Sequence, residues 1–315
     1  MTPDESYCQA AETLRYDIDP DTINPIPLHH DCGRQDGLPR HKRSMTKRNV
    51  IIDGHVHIYP GYEWHEAMSG LVNNLIVATG GIRQERPIIA GLLAESRTCH
   101  FYRDIAGQAG GVSHGAMHLT ADLDSGCLTI HSGGEIQGYL IAGRQVVTAE
   151  KLELLALGAD TFIADGLPTE ATLAAIISAG SIPVLSWSPG KWFGRRGAMV
   201  RHLIETHPSD QFLIGDTGLR PTLWPFPRLM KLAQNRGFKI IGGSDALPLN
   251  GEEKWVGSYG VTAEAEFDAN RPAASLGRIL ADPATPFTPI GKRARTAAFL
   301  SRWLRNQFAR YGVNP

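Results

Sequence analysis

The chain reads as an α/β protein built as a distorted, TIM-like (β/α)7–8 barrel with its site at the carboxyl ends of the strands. Three observations predict this. From residue 50 onward, short apolar runs alternate with helical segments, the pattern of βαβ units around a parallel sheet. At 315 residues, one barrel with a large core fits the length. The first apolar run, Val50-Ile51-Ile52, leads directly into Asp53-Gly54-His55-Val56-His57, which places two imidazoles where such barrels keep their chemistry.

The elements follow in order. Strand one covers about 50–57 and precedes a helix near 61–78, which stops at Gly80-Gly81. Strand two, about 87–94, ends at Glu95. A helix is expected over 98–109, then an antiparallel excursion over 115–136 around Asp124-Ser125-Gly126. Strand three is 138–142. Thr148 has the character of an N-cap, with Glu150 in the first turn of a helix running to Leu157 and stopped by Gly158. Strand four, 161–164, reaches Asp165, and a helix from Pro168 ends at Gly180. Strand five (182–186), a helix (197–206), strand six (211–214), a helix (225–236) and strand seven (238–244) complete the barrel. The tail, 286–310, is a basic amphipathic helix containing Arg293, Arg295, Phe299, Leu300, Trp303, Leu304 and Phe308. It is expected to pack on the barrel and leave its arginines solvated.

Two domains are expected: a poorly ordered arm over 1–48 and the barrel with its C-terminal helix over 49–315. The arm is rich in Pro, Asp, His and Arg, lacks periodicity and carries the basic run Arg40-His41-Lys42-Arg43. Its His29, His30, Cys32 and His41 lack paired zinc-finger spacing and read as solvated. Met45 marks an alternative start. A net charge of −1 argues against electrostatic binding to nucleic acid or anionic lipid. Four cysteines without regular spacing argue against a disulfide framework. With no apolar run of membrane-spanning length and a polar, acidic start, the expectation is a cytoplasmic protein without a membrane partner.

In a strand, side chains at i and i+2 share a face, so His55 and His57 can meet one ion. Neutral imidazole suits zinc, manganese and iron. The motif Asp53-Gly54-His55-Val56-His57 resembles the first-strand motif of the amidohydrolase superfamily and of the related polymerase-and-histidinol-phosphatase (PHP) phosphoesterases. The end of strand seven, Gly242-Gly243-Ser244-Asp245, is similar to the last-strand Asp motif of amidohydrolases. That resemblance, spanning about residues 50–250, implies a metal-dependent hydrolase in which Asp245 completes the site and orients the attacking water. Seven strands favour the PHP form and eight the amidohydrolase form. The chain departs from both. Leu247 stands where a PHP strand usually has His, and no further histidines stand at the ends of strands five and six, where amidohydrolases usually supply them.

The other strand ends supply Glu95, Arg144, Gln145, Asp165, Lys191, Asp216 and Arg220. The expected metal set is His55, His57, Asp245 and Glu95, with Asp245 also the catalytic proton shuttle and zinc or manganese the cofactor. Arg144, Lys191 and Arg220 are expected to converge on an anionic group of a small substrate, with Asp216 beside them. The reaction expected is hydrolysis of an amide, ester or phosphoester. The alternatives are a barrel that has lost catalysis and binds an anionic ligand or a protein, or a metal-assisted decarboxylase or lyase. A homo-oligomer is compatible with this reading.

Overall fold

The computed structural model describes residues 47–80, 86–122 and 125–310. Of the expected arm, only Lys47 and Arg48 fall within the described residues, and they open the first strand. His29, His30, Cys32 and His41, read from the sequence as solvated, lie outside them.

The first half runs β1 (Lys47–Val56), α1 (Trp64–Ala78), β2 (Ile88–Leu93), α2 (Phe101–Ala106), β3 (Val112–His114), β4 (Met117–Asp122), β5 (Cys127–Ser132) and β6 (Glu135–Ile141). A hairpin, β7 (Gly143–Val147) and β8 (Glu153–Leu157), follows. Next come α3 (Thr169–Ser178), β9 (Ile182–Ser186), α4 (Gly194–Thr206), β10 (Leu213–Thr217), α5 (Arg228–Asn235) and β11 (Ile240–Gly243). A 3₁₀ turn (Glu253–Trp255), β12 (Tyr259–Glu266), α6 (Pro272–Ala281), β13 (Thr288–Gly291) and α7 (Thr296–Arg310) end the fold.

The architecture corrects the barrel expectation. The strands form two mixed sheets, one of eight strands in the order β13-β12-β1-β2-β6-β5-β4-β3 and one of five in the order β11-β10-β9-β8-β7. No closed barrel forms among the described residues. Three segments account for the difference. Residues 148–157, expected as a helix, turn at Lys151 in the left-handed region (φ 65°) and return as β8, antiparallel to β7. Leu154 and Ala156 face one core while Leu155 and Leu157 face another, so this run is apolar on both faces and its periodicity does not separate helix from strand. Residues 161–164, expected as strand four, form no strand. The Gly-rich stretch after Trp255 leads into β12, which pairs antiparallel with β1 on the side where a barrel would place another parallel neighbour. The antiparallel excursion is present as β3–β6, and α1, α3, α4, α5 and α7 form close to their expected places.

The sheets share one core, to which β1, β2, β6, β8, β9, β10, β11 and β12 all contribute, with Ala273, Leu276, Ile279 and Leu280 of α6 packed in as well. A second apolar cluster joins the other face of the large sheet to α1 and α2, and a third joins the small sheet to α3, α4 and α5. The 50–52 run of β1 and the 89–93 run of β2 are therefore buried on both faces, which explains why each is continuously apolar. No described helix is long and apolar enough to cross a membrane.

The two sheets meet where β11 abuts the end of β1. A Cβ on Gly243 would lie 2.4 Å from the His55 nitrogen, and one on Gly54 would lie 2.5 Å from the Ile241 side chain. Only glycine permits this approach. Gly243→Ala should therefore cost about 1–3 kcal/mol by overpacking, read as a lower urea midpoint. An unchanged midpoint would show that the strands separate without penalty.

Candidate metal centre

The Asp53 carboxylate is fully buried beneath the junction. It accepts hydrogen bonds from the backbone N–H groups of His55 (3.1 Å), Ser244 (2.9 Å) and Gly257 (2.9 Å), and from the Ser244 hydroxyl. Burial pushes its carboxyl up to about 6 in spite of these four donors. One side chain thus fixes the end of β1, the segment after β11 and the approach to β12.

The residues expected to bind metal then come together above it. Strand β1 loses its regular register with β2 between Asp53 and Val56, and both His55 and His57 are buried there. Their Nε2 atoms lie 3.0 Å apart. Asp245 donates its backbone N–H to the His55 carbonyl (2.9 Å) and adopts a left-handed φ of 52°, which Asp tolerates better than most residues. Its Oδ1 stands 3.7 Å from His55 Nε2 and 3.5 Å from His57 Nε2. A point equidistant from three atoms so spaced lies about 2.0 Å from each, the bond length of zinc to imidazole and carboxylate. Among the described residues, this is the group of His, Cys, Asp or Glu whose donor atoms converge.

The protonation states fit the same use. Burial holds His55 below its ordinary range against the opposing pull of Asp245, which leaves a lone pair available. For Asp245, burial favours the neutral acid, but His55, His57 and the Thr217 hydroxyl overcome it and hold the carboxyl well below the usual range. Thr217 donates to Asp245 Oδ2 at 2.9 Å. His57 stacks on Tyr59 at 5.2 Å, and its Nδ1 is buried with no partner among the described residues. Its ring is positioned by stacking more than by the second hydrogen bond that ligating histidines usually make.

Gln145 and Thr217 border this group; Gln145 was noted at a strand end but given no role, and Thr217 was not expected. Gln145 Oε1 lies 3.1 Å from His55 Nε2. Each is adjacent in sequence to a charged residue that was expected instead, Arg144 and Asp216, and strand alternation turns that neighbour away. Glu153, expected within a helix, sits on β8 and receives hydrogen bonds from Ser188 and Lys191. Its charge acts on His55.

The remaining expected site residues stand elsewhere. Glu95 accepts the Tyr102 N–H (2.7 Å) at the start of α2, with burial raising its carboxyl to about 7, and it is not part of the converging group. Arg144 donates to the Ile163 carbonyl (3.1 Å) and lies over the Phe162 ring. Beside Glu95 it lines a cavity of about 20 Å³, room for a single water. Arg220 is held by Asp216 in a buried two-point ion pair (2.7 and 2.8 Å), and Tyr259 donates to the same carboxylate (2.9 Å). Lys191 is engaged by Glu153. The convergence of Arg144, Lys191 and Arg220 on one anion is thus corrected. Two of the three are neutralised by carboxylates, and Arg144 faces away from Gln145 and the histidines.

No protein-family model matches the chain, and no curated protein matches it. Among solved structures, the chain is similar to PsfC from Pseudomonas syringae, with a TM-score of 0.50 and 16% sequence identity. The match covers 84% of this chain and 99% of that one. At that identity the likeness concerns the fold alone.

Arg220→Met separates a structural from a substrate-binding role. It leaves Asp216 buried without its cation and should cost about 3–5 kcal/mol in denaturant unfolding. Should the protein turn over a substrate, KM in the surviving folded protein should not move. A raised KM with undiminished stability would return Arg220 to the substrate.

Proposed function

We propose that the protein is a metal-dependent hydrolase of the amidohydrolase or PHP kind, acting in the cytoplasm on a small-molecule amide, ester or phosphoester. The observation that carries this reading is the buried triangle of His55 Nε2, His57 Nε2 and Asp245 Oδ1, spaced for one divalent ion, zinc or manganese. When bound, such an ion supplies Lewis acidity, polarising the scissile carbonyl or phosphoryl oxygen and lowering the pKa of water from 15.7 towards about 7.

The chain's residues do the rest. His55 and His57, both kept from solvent, offer their Nε2 atoms to one point. Asp245 contributes Oδ1 to the same point while Thr217 fixes Oδ2, so the carboxylate cannot rotate away. Held so acidic, Asp245 is a ligand first. With an ion bound at this point, Asp245 could take a proton from the attacking water and return it to the leaving group. Gln145 Oε1, next to His55 Nε2, is placed to orient that water or the substrate. Because the expected anion clamp does not assemble, neutral amides and esters head the substrate screen, with phosphoesters second.

Hydrolysis of a substrate found by such a screen should vanish after chelation and return with zinc or manganese. Asp245→Asn, which keeps size and removes the basic carboxylate, should lower turnover by roughly 10²–10⁴-fold. Turnover that survives chelation, or an undiminished Asp245→Asn enzyme, would refute the proposal.

A further inference from the structure

Helix α7 is amphipathic in the sense opposite to the one expected. Arg302 and Asn306 face the protein with Phe299 half-buried beside them, while Ser301 and Arg305 are exposed. Arg302 is buried in a two-point ion pair with Glu252, its guanidinium lies 5.2 Å from the Trp255 ring centre, and Asn306 is buried on the same side. Leu300, Trp303, Leu304 and Phe308 are 49%, 43%, 45% and 43% exposed. At 3.6 residues per turn these four fall within an arc of about 140°, with Arg302 and Asn306 on the far side. A helix that buries its arginine and presents leucine, tryptophan and phenylalanine to the outside calls for a second surface.

Charge indicates which one. Six of the chain's 31 Lys and Arg, namely Lys292, Arg293, Arg295, Arg302, Arg305 and Arg310, lie in its last 33 residues, and none of its 32 Asp and Glu do. The near-neutral total hides a cationic end on an otherwise acidic chain. Lys292, Arg295 and Arg305 are exposed on and beside α7. A two-fold contact between copies through this helix would set these cations against themselves. A negatively charged, apolar-cored surface meets both features at once.

We propose that α7 docks the protein on an anionic lipid surface. The apolar ridge enters the headgroup boundary with Trp303 at the interface, where an aromatic ring with a polar edge is favoured. The flanking cations meet the lipid phosphates. The buried Arg302–Glu252 pair keeps the ridge turned outward and joins it to the segment that follows Asp245.

Vesicle flotation of the full chain tests this, with phosphatidylcholine vesicles compared with vesicles that also contain phosphatidylglycerol. The protein should float with the anionic vesicles only, and added salt should weaken the binding. Leu304→Asp, at an exposed position away from Arg302, should lower partitioning by roughly tenfold or more. Arg305→Gln should give a smaller, salt-sensitive loss, and both variants should unfold like the parent. Brominated lipid should quench tryptophan emission, and Trp303→Phe should reduce that quenching. The proposal is overturned by absence of flotation with anionic vesicles or by flotation indifferent to Leu304→Asp. It is equally overturned by a concentration-dependent dimer that Leu304→Asp dissolves while no vesicle binding occurs, which would assign the face to a second copy.

Discussion

A single buried carboxylate organises this molecule. Asp53 ends the apolar part of β1 and gathers four donors from its own strand end and from Ser244 and Gly257, 191 and 204 residues on. A carboxylate so deeply buried is tolerable only when its oxygens are fully engaged, so the segments that supply the donors cannot drift. The rest of the site follows from that clamp. Ser244 is drawn onto β1, Gly243 is pressed against His55, and Asp245 is carried into a left-handed conformation beside the two imidazoles. The strain of a non-glycine residue there is held by surroundings that fix both its backbone N–H and its carboxylate. The Asp-Gly-His-x-His stretch and the Gly-Gly-Ser-Asp stretch are therefore two halves of one construction.

How much of this was legible depends on what each residue reports by its type. The paired histidines and Asp245 were readable, because strand alternation and the end of an apolar run place them without knowledge of the topology. The clamp was not, since Asp53 reads as part of a motif and only the structure shows that its partners are Ser244 and Gly257. Parity misled at two strand ends. Arg144 and Asp216 attract attention by their charge, yet their uncharged neighbours Gln145 and Thr217 face the site. The architecture was legible only piecewise. Apolar runs located most strands, but pairing direction leaves no mark on a run buried on both faces. Leu152 to Leu157 illustrates this, serving two cores from one hairpin strand.

Charge pairs do structural work at the edges of this frame. Asp216–Arg220, with Tyr259 on the same carboxylate, secures the loop after β10, while Glu252–Arg302 joins α7 to the segment beyond Asp245. Both are nearly dry, and breaking one partner leaves the other uncompensated, so each fixes a geometry more firmly than it adds stability. This explains why arginines that look available for substrate are not. It also explains how a helix with an apolar stripe comes to rest with that stripe outward.

The proposed function stands on one divalent ion held by His55, His57 and Asp245. Anomalous diffraction at the zinc edge, from crystals grown with zinc, tests it most directly. The account predicts a peak about 2.0 Å from both Nε2 atoms and from Asp245 Oδ1, absent at the same position in His57→Ala crystals. Crystals holding zinc only elsewhere, with the two imidazoles still in mutual contact and no peak between them and Asp245, would contradict it.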